Sequence, residues 1–291
     1  MNGPRVGRSA GRRWGLLGVM AALLALVGAA AVDVADKSTS RSAKGSQPSG
    51  AAGAGGSGAG APADPPPVPG LLPNMRILPA DKVVIDTAGK GRRLRFDATL
   101  VNVGAGPLEL IPQDLARCPR GQRHVAQAVY QDGDDDGRFD RKVDRERSTV
   151  AAGCMLFHPD HDHWHIDGSA AYALTRADDT VPVVAQNKVS FCLRDSDRLV
   201  KGSGPPKHYG ECARNRVQGI TVGWTDLYDA SLAGQALELA PTLPDGDYCL
   251  RLRADPADLL RETNEDDNGS TALVRISGNR VSTPATVRCS A

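Results

Sequence analysis

Short runs in which apolar and polar residues alternate, each closed by a turn sequence, decide what residues 71–291 can become. RLRFDATL (93–100), HVAQAVY (124–130), KVSFCL (188–193), QALELA (235–240), DYCLRLR (247–253) and TALVRI (271–276) all follow this pattern. Successive side chains of an extended strand point to opposite faces. Leu94, Phe96, Ala98 and Leu100 therefore share one face, as do Tyr248, Leu250 and Leu252. Between the runs stand VGAGP, DGDDDG, LPDGD and NEDDNG, whose Gly, Pro, Asn and Asp residues favour turns. No stretch keeps a helical period beyond a turn or two near 256–260, and no internal repeat is evident. The pattern predicts a mostly β fold: one antiparallel β-sandwich or barrel-like domain with long loops and little helix.

Residues 1–70 read differently. Arg5, Arg8, Arg12 and Arg13 precede an apolar run over 14–32 that ends in three alanines, 29–31. That is the layout of an export signal cut near Ala31, over residues 1–31. The alternative is an uncleaved single-span anchor, because the run approaches the roughly 20 residues a membrane helix needs. Only this segment suggests a membrane. Residues 32–70 are rich in Gly, Ala, Ser and Pro with no apolar period. Such a stretch buries too little surface to offset its ordering entropy and predicts a disordered stalk.

The whole chain carries 35 Lys and Arg against 34 Asp and Glu, a balance that gives no reason to expect nucleic acid as a partner. Its six cysteines, at 118, 154, 192, 212, 249 and 289, form no C-x-x-C pair. In an exported chain an even count at wide spacing reads as disulfides, and pairing of neighbours is expected: 118 with 154, 192 with 212, 249 with 289.

FHPDHDHWHID (157–167) packs four of the six histidines into eight residues, with His161, His163 and His165 in strict alternation. On a helix, residues two apart point about 200° around the axis, whereas on a strand all three share a face. The outer Cα atoms of a straight strand would still stand about 13 Å apart, so a shared ion requires a twist or bulge, and Asp167-Gly168 offers a bend. Three imidazoles suit copper or zinc and leave positions open for water or dioxygen. His158, three residues upstream, is expected as a base, as a support for the ligands, or as an ordinary buried histidine.

DGDDDGRFD (132–140) begins like a calcium loop, with Asp132, Asp134, Asp136 and Asp140 alternating around Gly137. Val143 occupies the twelfth position, where an EF-hand places glutamate. Calcium bound there would have a structural role.

From His158 onward the chain resembles the lysyl oxidase family of copper amine oxidases. That family has a histidine followed three residues later by H-x-H-x-H, then K-x-S-F-C-L, matched by KVSFCL, then Q-G-(I/L)-S-x-G-x-x-D-x-Y, matched by QGITVGWTDLY at 218–228. Its closing P-G-x-Y strand and V-x-P-x-x-x-x-E-x-x-x-x-N-N are echoed by LPDGDYCLRLRADPADLLRETNEDDN. The resemblance runs in order over 93–276. It implies copper on His161, His163 and His165, and a lysine tyrosylquinone made from Lys188 and Tyr228. Asp226 and His158 are then candidates for the general base. The implied reaction converts primary amines, either lysyl side chains or small amines, to aldehydes with dioxygen as acceptor, outside the cytoplasm.

The chain departs from the animal enzymes at Trp224, where they have cysteine, and at Trp164 and Ile166, where they have Tyr and Ser. Collagen and elastin are therefore not implied as substrates. Two other functions compete. One is a secreted copper- or calcium-binding module without turnover, which would have no need of Lys188 and Tyr228. The other is a zinc hydrolase on the same histidines, which lacks an obvious carboxylate to activate water.

Overall fold

The computed structural model describes residues 70–89, 91–113, 118–214, 216–284 and 288–290, with the side chains of Asn187 and Lys188 left out. The expected signal over 1–31 and nearly all of the expected stalk, 32–69, lie outside the described residues. In chain order the strands are β1 (Met75–Ile77), β2 (Asp81–Asp86), β3 (Arg92–Asn102), β4 (Leu108–Gln113), β5 (Gln122–Tyr130), β6 (Arg147–His158), β7 (His163–Arg176) and β8 (Pro182–Phe191). They continue with β9 (Asp197–Arg198), β10 (Gln218–Ile220), β11 (Trp224–Tyr228), β12 (Ala236–Leu239), β13 (Gly246–Ala254), β14 (Gly269–Ser277) and β15 (Arg280–Ser282). Among the described residues there is no helix. The mostly β expectation holds.

Two antiparallel sheets share the strands. The larger runs β10-β4-β5-β6-β7-β13-β14-β15, with β8 also paired to β7. The smaller runs β1-β3-β11-β9, with β2 and β12 also paired to β3. Inward residues of both form one core. Leu94, Phe96, Ala98 and Leu100 from β3 are at most 2% exposed, as are Tyr248, Leu250 and Leu252 from β13. Phe96 meets Tyr172 edge-on at 5.0 Å, joining the sheets through a favourable aromatic geometry.

Three disulfides, Cys118–Cys154, Cys192–Cys212 and Cys249–Cys289, match the expected neighbours. Each closes a loop of 20 to 40 residues, a span over which cross-linking removes about 3–4 kcal/mol of unfolded-state entropy.

Candidate active site

The histidine cluster sits at the β6–β7 hairpin. Register places His158 opposite His163, Phe157 opposite Trp164 and Leu156 opposite His165. Only His163 and His165 lie on β7, two apart and so on one face. His161 belongs to the turn, where its N–H donates to His158 O at 3.2 Å and Asp162 takes a positive φ of 55°. This corrects the expectation of three histidines on one strand. The turn folds His161 back over β7 and removes the 13 Å problem; β7 also shifts register between Ile166 and Ala170, where Gly168 has a φ of 72°.

The result is a tight nitrogen triangle. His165 Nε2 lies 3.1 Å from His163 Nε2 and 3.4 Å from His161 Nδ1. Ligands at about 2.0–2.1 Å in a tetrahedral shell stand about 3.3 Å apart, so the spacing suits a shared ion. Charge state agrees. Burial first, then neighbouring histidine charge, pushes His165 down to about 4, and burial lowers His163 too. Both are neutral at physiological pH, with lone pairs free for a metal. His163 Nδ1 faces His161 O at 2.8 Å, which leaves its Nε2 to the cluster. His158 stacks on His161 at 4.1 Å and on His165 at 4.9 Å, and its Nδ1 is buried without a partner.

Gln218 and Gly219 hold this hairpin against the KVSFCL segment. The Gln218 amide donates to Trp164 O at 2.6 Å, between the two strand-borne histidines, and accepts from Leu193 N–H at 3.1 Å. Gly219 lets β10 approach β4 closely: a Cβ there would fall 2.1 Å from Leu108 O. The Q-G pair is thus a packing requirement of the site.

The cluster opens into a cavity of about 630 Å³ lined also by Cys192, Arg194, Glu211, Asp226 and Tyr228. Tyr228 and Asp226 lie two apart on β11, on the same face. Tyr228 Oη is 2.6 Å from Asp226 Oδ2 and 2.8 Å from Cys192 O, and the ring stacks on Phe191 at 3.5 Å. Asp226 is 1% exposed and also accepts from Arg194 N–H and Ser196 Oγ. Burial pushes its carboxyl up to about 7, against those hydrogen bonds. Burial and the Asp226 charge likewise hold the Tyr228 phenol well above its usual range. The phenol therefore keeps its proton while Asp226 changes charge near neutrality, which suits a base working there.

Lys188 lies on β8 between Gln186 and Val189, both of which line the cavity, but its side chain is outside the described residues. His161, His163, His165, His158, Asp226 and Tyr228 are brought to one cavity.

The acidic loop is separate. Asp132, Asp134 and Asp136 bring carboxylate oxygens within 4.8 Å of one another at the surface. Asp140 is not in that triple, and its Oδ1 accepts from Lys142 N–H at 2.8 Å. Asp132 already accepts from the N–H groups of Asp136 and Gly137.

A second oxygen cluster has no counterpart among the sequence-predicted sites. Asp255, Glu262 and Glu265 bring carboxylate oxygens within 4.8 Å of one another. Four buried oxygens nearby, on Asn74, Glu265, Asp267 and Asn268, have no hydrogen-bond partner. Asn74 donates to Asp267, and Asn268 to Glu262. Burial pushes Glu262 up to about 8. Within the triple, Glu262 accepts from Met75 N–H and the Asn268 amide, Asp255 accepts from Leu259 and Leu260 N–H, and Glu265 keeps an oxygen without a partner. Gathered carboxylates of this kind are the ligands a hard divalent cation takes. The signal was in the ETNEDDN stretch, where Glu262 and Asn268 sit, but Asn74 comes from the other end of the domain.

The fold and cavity define an antiparallel β-sandwich with a three-histidine site facing a buried Asp-Tyr pair. The lysyl oxidase family model matches residues 142–286. Among curated relatives, lysyl oxidase homolog 2B of Danio rerio is 29% identical over 167 residues, which is 57% of this chain and 20% of that protein. Lysyl oxidase homolog 3B of Danio rerio is 32% identical over 127 residues, 43% of this chain and 15% of the relative. Lysyl oxidase homolog 3 of Homo sapiens is 31% identical over 127 residues, 43% of this chain and 16% of the relative. The chain belongs to the lysyl oxidase family, and it spans a fifth or less of the length of these relatives. The family match begins at residue 142, so β1 to β5 and the loop at 132–140 precede it.

Proposed function

We propose that this chain is an exported copper- and quinone-dependent amine oxidase acting on primary amines. The observation that carries the reading is the shared cavity of the nitrogen triangle and the Asp226–Tyr228 pair. His161, His163 and His165 would hold copper, and Tyr228 with Lys188 would supply the quinone. Together these groups supply a two-electron oxidation of the amine to an aldehyde, with ammonia and hydrogen peroxide released and dioxygen as acceptor.

The chain's own residues do the rest. Cys192 O and Asp226 fix the Tyr228 oxygen from two sides, and Phe191 fixes the ring plane. Asp226, whose carboxyl ionises near neutrality, takes a proton from the carbon bearing the amine and returns it later. His158 is better suited to packing the ligands, since it lies stacked on two of them. The disulfides fit an oxidising compartment and hence export. Domain limits follow the sequence: signal or anchor over 1–31, stalk over 32–70, catalytic domain over 71–291. Calcium is better placed at Glu262 than at Asp132, because only the Glu262 cluster buries oxygens that lack a partner.

The test is mass spectrometry of copper-loaded protein, seeking a covalent link between the peptides holding Lys188 and Tyr228. Tyr228→Phe is expected to abolish that link and all peroxide release while copper stays bound; His163→Ala is expected to abolish copper binding too. Copper-loaded wild type with both peptides unmodified, and no peroxide from any primary amine, overturns the reading. A binding module would retain copper and show neither.

A further inference from the structure

Two charged side chains on the cavity wall have no part in the chemistry above. Asp226 is occupied by Tyr228, Ser196 and the Arg194 backbone. That leaves Glu211 as the other carboxylate lining the cavity, and Arg194 as its guanidinium. Both are exposed. Neither side chain forms a hydrogen bond or ion pair with any described residue.

A disulfide ties together the two segments that carry them. Arg194 is two residues beyond Cys192, Glu211 is one residue before Cys212, and the Cys192–Cys212 disulfide keeps the two cysteine Cα atoms 6.1 Å apart. Cys192 of the same disulfide carries the carbonyl that holds Tyr228. The Arg194 charge acts on Asp226 and Tyr228, and Arg194 lines the same cavity, so the guanidinium stands within electrostatic reach of the reacting end. An exposed cation and an exposed anion lining the cavity of a site for an amine match the two charges of an amino-acid head group.

We infer that the cavity selects free α-amino acids bearing a side-chain primary amine: Arg194 takes the α-carboxylate, Glu211 takes the α-ammonium, and the side-chain amine reaches Tyr228. The inference rests on the amine-oxidase reading and narrows its substrate class. A cavity of about 630 Å³ accepts such a molecule whole. A lysyl residue inside a polypeptide lacks both head charges, and a diamine such as cadaverine places a second cation in their stead. Neither satisfies the wall.

Two measurements test this. First, kcat/KM is compared for free L-lysine, Nα-acetyl-L-lysine, L-lysinamide and cadaverine. Lysine is expected to lead each single-charge deletion by about ten-fold, the size of one charge-assisted contact, with cadaverine lowest. Second, L-norleucine, which keeps the head group but has no side-chain amine to oxidise, is titrated by ligand-detected NMR. Arg194→Met and Glu211→Gln are each expected to raise its Kd about ten-fold.

Norleucine that fails to bind wild type, or binds both variants equally well, overturns the inference. So does equal turnover of lysine and doubly blocked Nα-acetyl-lysine N-methylamide, which indicates a peptidyl substrate. Norleucine binding that responds to both substitutions, in protein that oxidises no amine, supports the head-group site and overturns the oxidase reading alone.

Discussion

Asp226→Asn offers a sharp test of the buried pair, because it changes one proton and almost nothing else. With the surrounding contacts kept, the Asn carbonyl can still accept from Tyr228 Oη and Arg194 N–H, while its amide donates to Ser196 Oγ. The wild-type carboxyl ionises near 3.8 when exposed and near 7 when folded. Between those values the native chain binds more protons than the unfolded chain, so wild-type stability falls as pH rises through this window. About three pH units at about 1.4 kcal/mol each set a ceiling of ~4 kcal/mol. Relaxation of the surroundings reduces this to about 2–4 kcal/mol.

Asn does not titrate. The variant is therefore expected to match wild type near pH 4 and to exceed it by about 2–4 kcal/mol at pH 8, which is a rise in Tm of roughly 4–16 °C for a domain of this size. Differential scanning calorimetry at pH 4, 5, 6, 7 and 8, with disulfides intact, reads it directly. Amine turnover should meanwhile fall about 10²–10⁴-fold, the usual contribution of a general base. A stability difference between variant and wild type that stays constant from pH 4 to 8 refutes the claim that Asp226 is a buried acid with a raised pKa.

Gln218→Met, which leaves Trp164 O and Leu193 N–H unpaired, is expected to cost about 2–4 kcal/mol in urea unfolding and to weaken copper binding measured by competition with a chelator. Unchanged copper affinity would show that the hairpin needs no such brace. Adding calcium to EGTA-treated protein at 100 times its Kd should stabilise the fold by about 2.7 kcal/mol, seen as a rise in Tm. Glu262→Gln should abolish that rise and Asp134→Ala should leave it, whereas the opposite result moves the cation to the surface loop.

Alternation made the sheets legible. The buried faces of β3 and β13 are those that RLRFDATL and DYCLRLR mark in the sequence, because two-residue periodicity and burial are the same fact on a strand. The three-histidine spacing pointed to a metal but to the wrong local geometry, since a turn at His161 looks in sequence like one more alternation. What could not be read was tertiary. Asn74 is distant in sequence from Glu262, and nothing local shows that their loops converge on one buried cluster. Arg194 and Glu211 look like ordinary loop charges until Cys192 and Cys212 tie their segments together and both line one cavity. Lys188 rests on the motif alone.

The cavity is assembled from both sheets: the histidines come from the β6–β7 hairpin of the larger, and Asp226 and Tyr228 from β11 of the smaller. A nascent or reduced chain holds these parts on separate strands, with no carbonyl fixed beside the phenol. Maturation is thereby put in order. If the proposed metal and quinone form, sheet closure and disulfide formation would come first, metal next and self-oxidation last. On the amine-oxidase proposal, peroxide release would wait until both sheets have closed around the cavity.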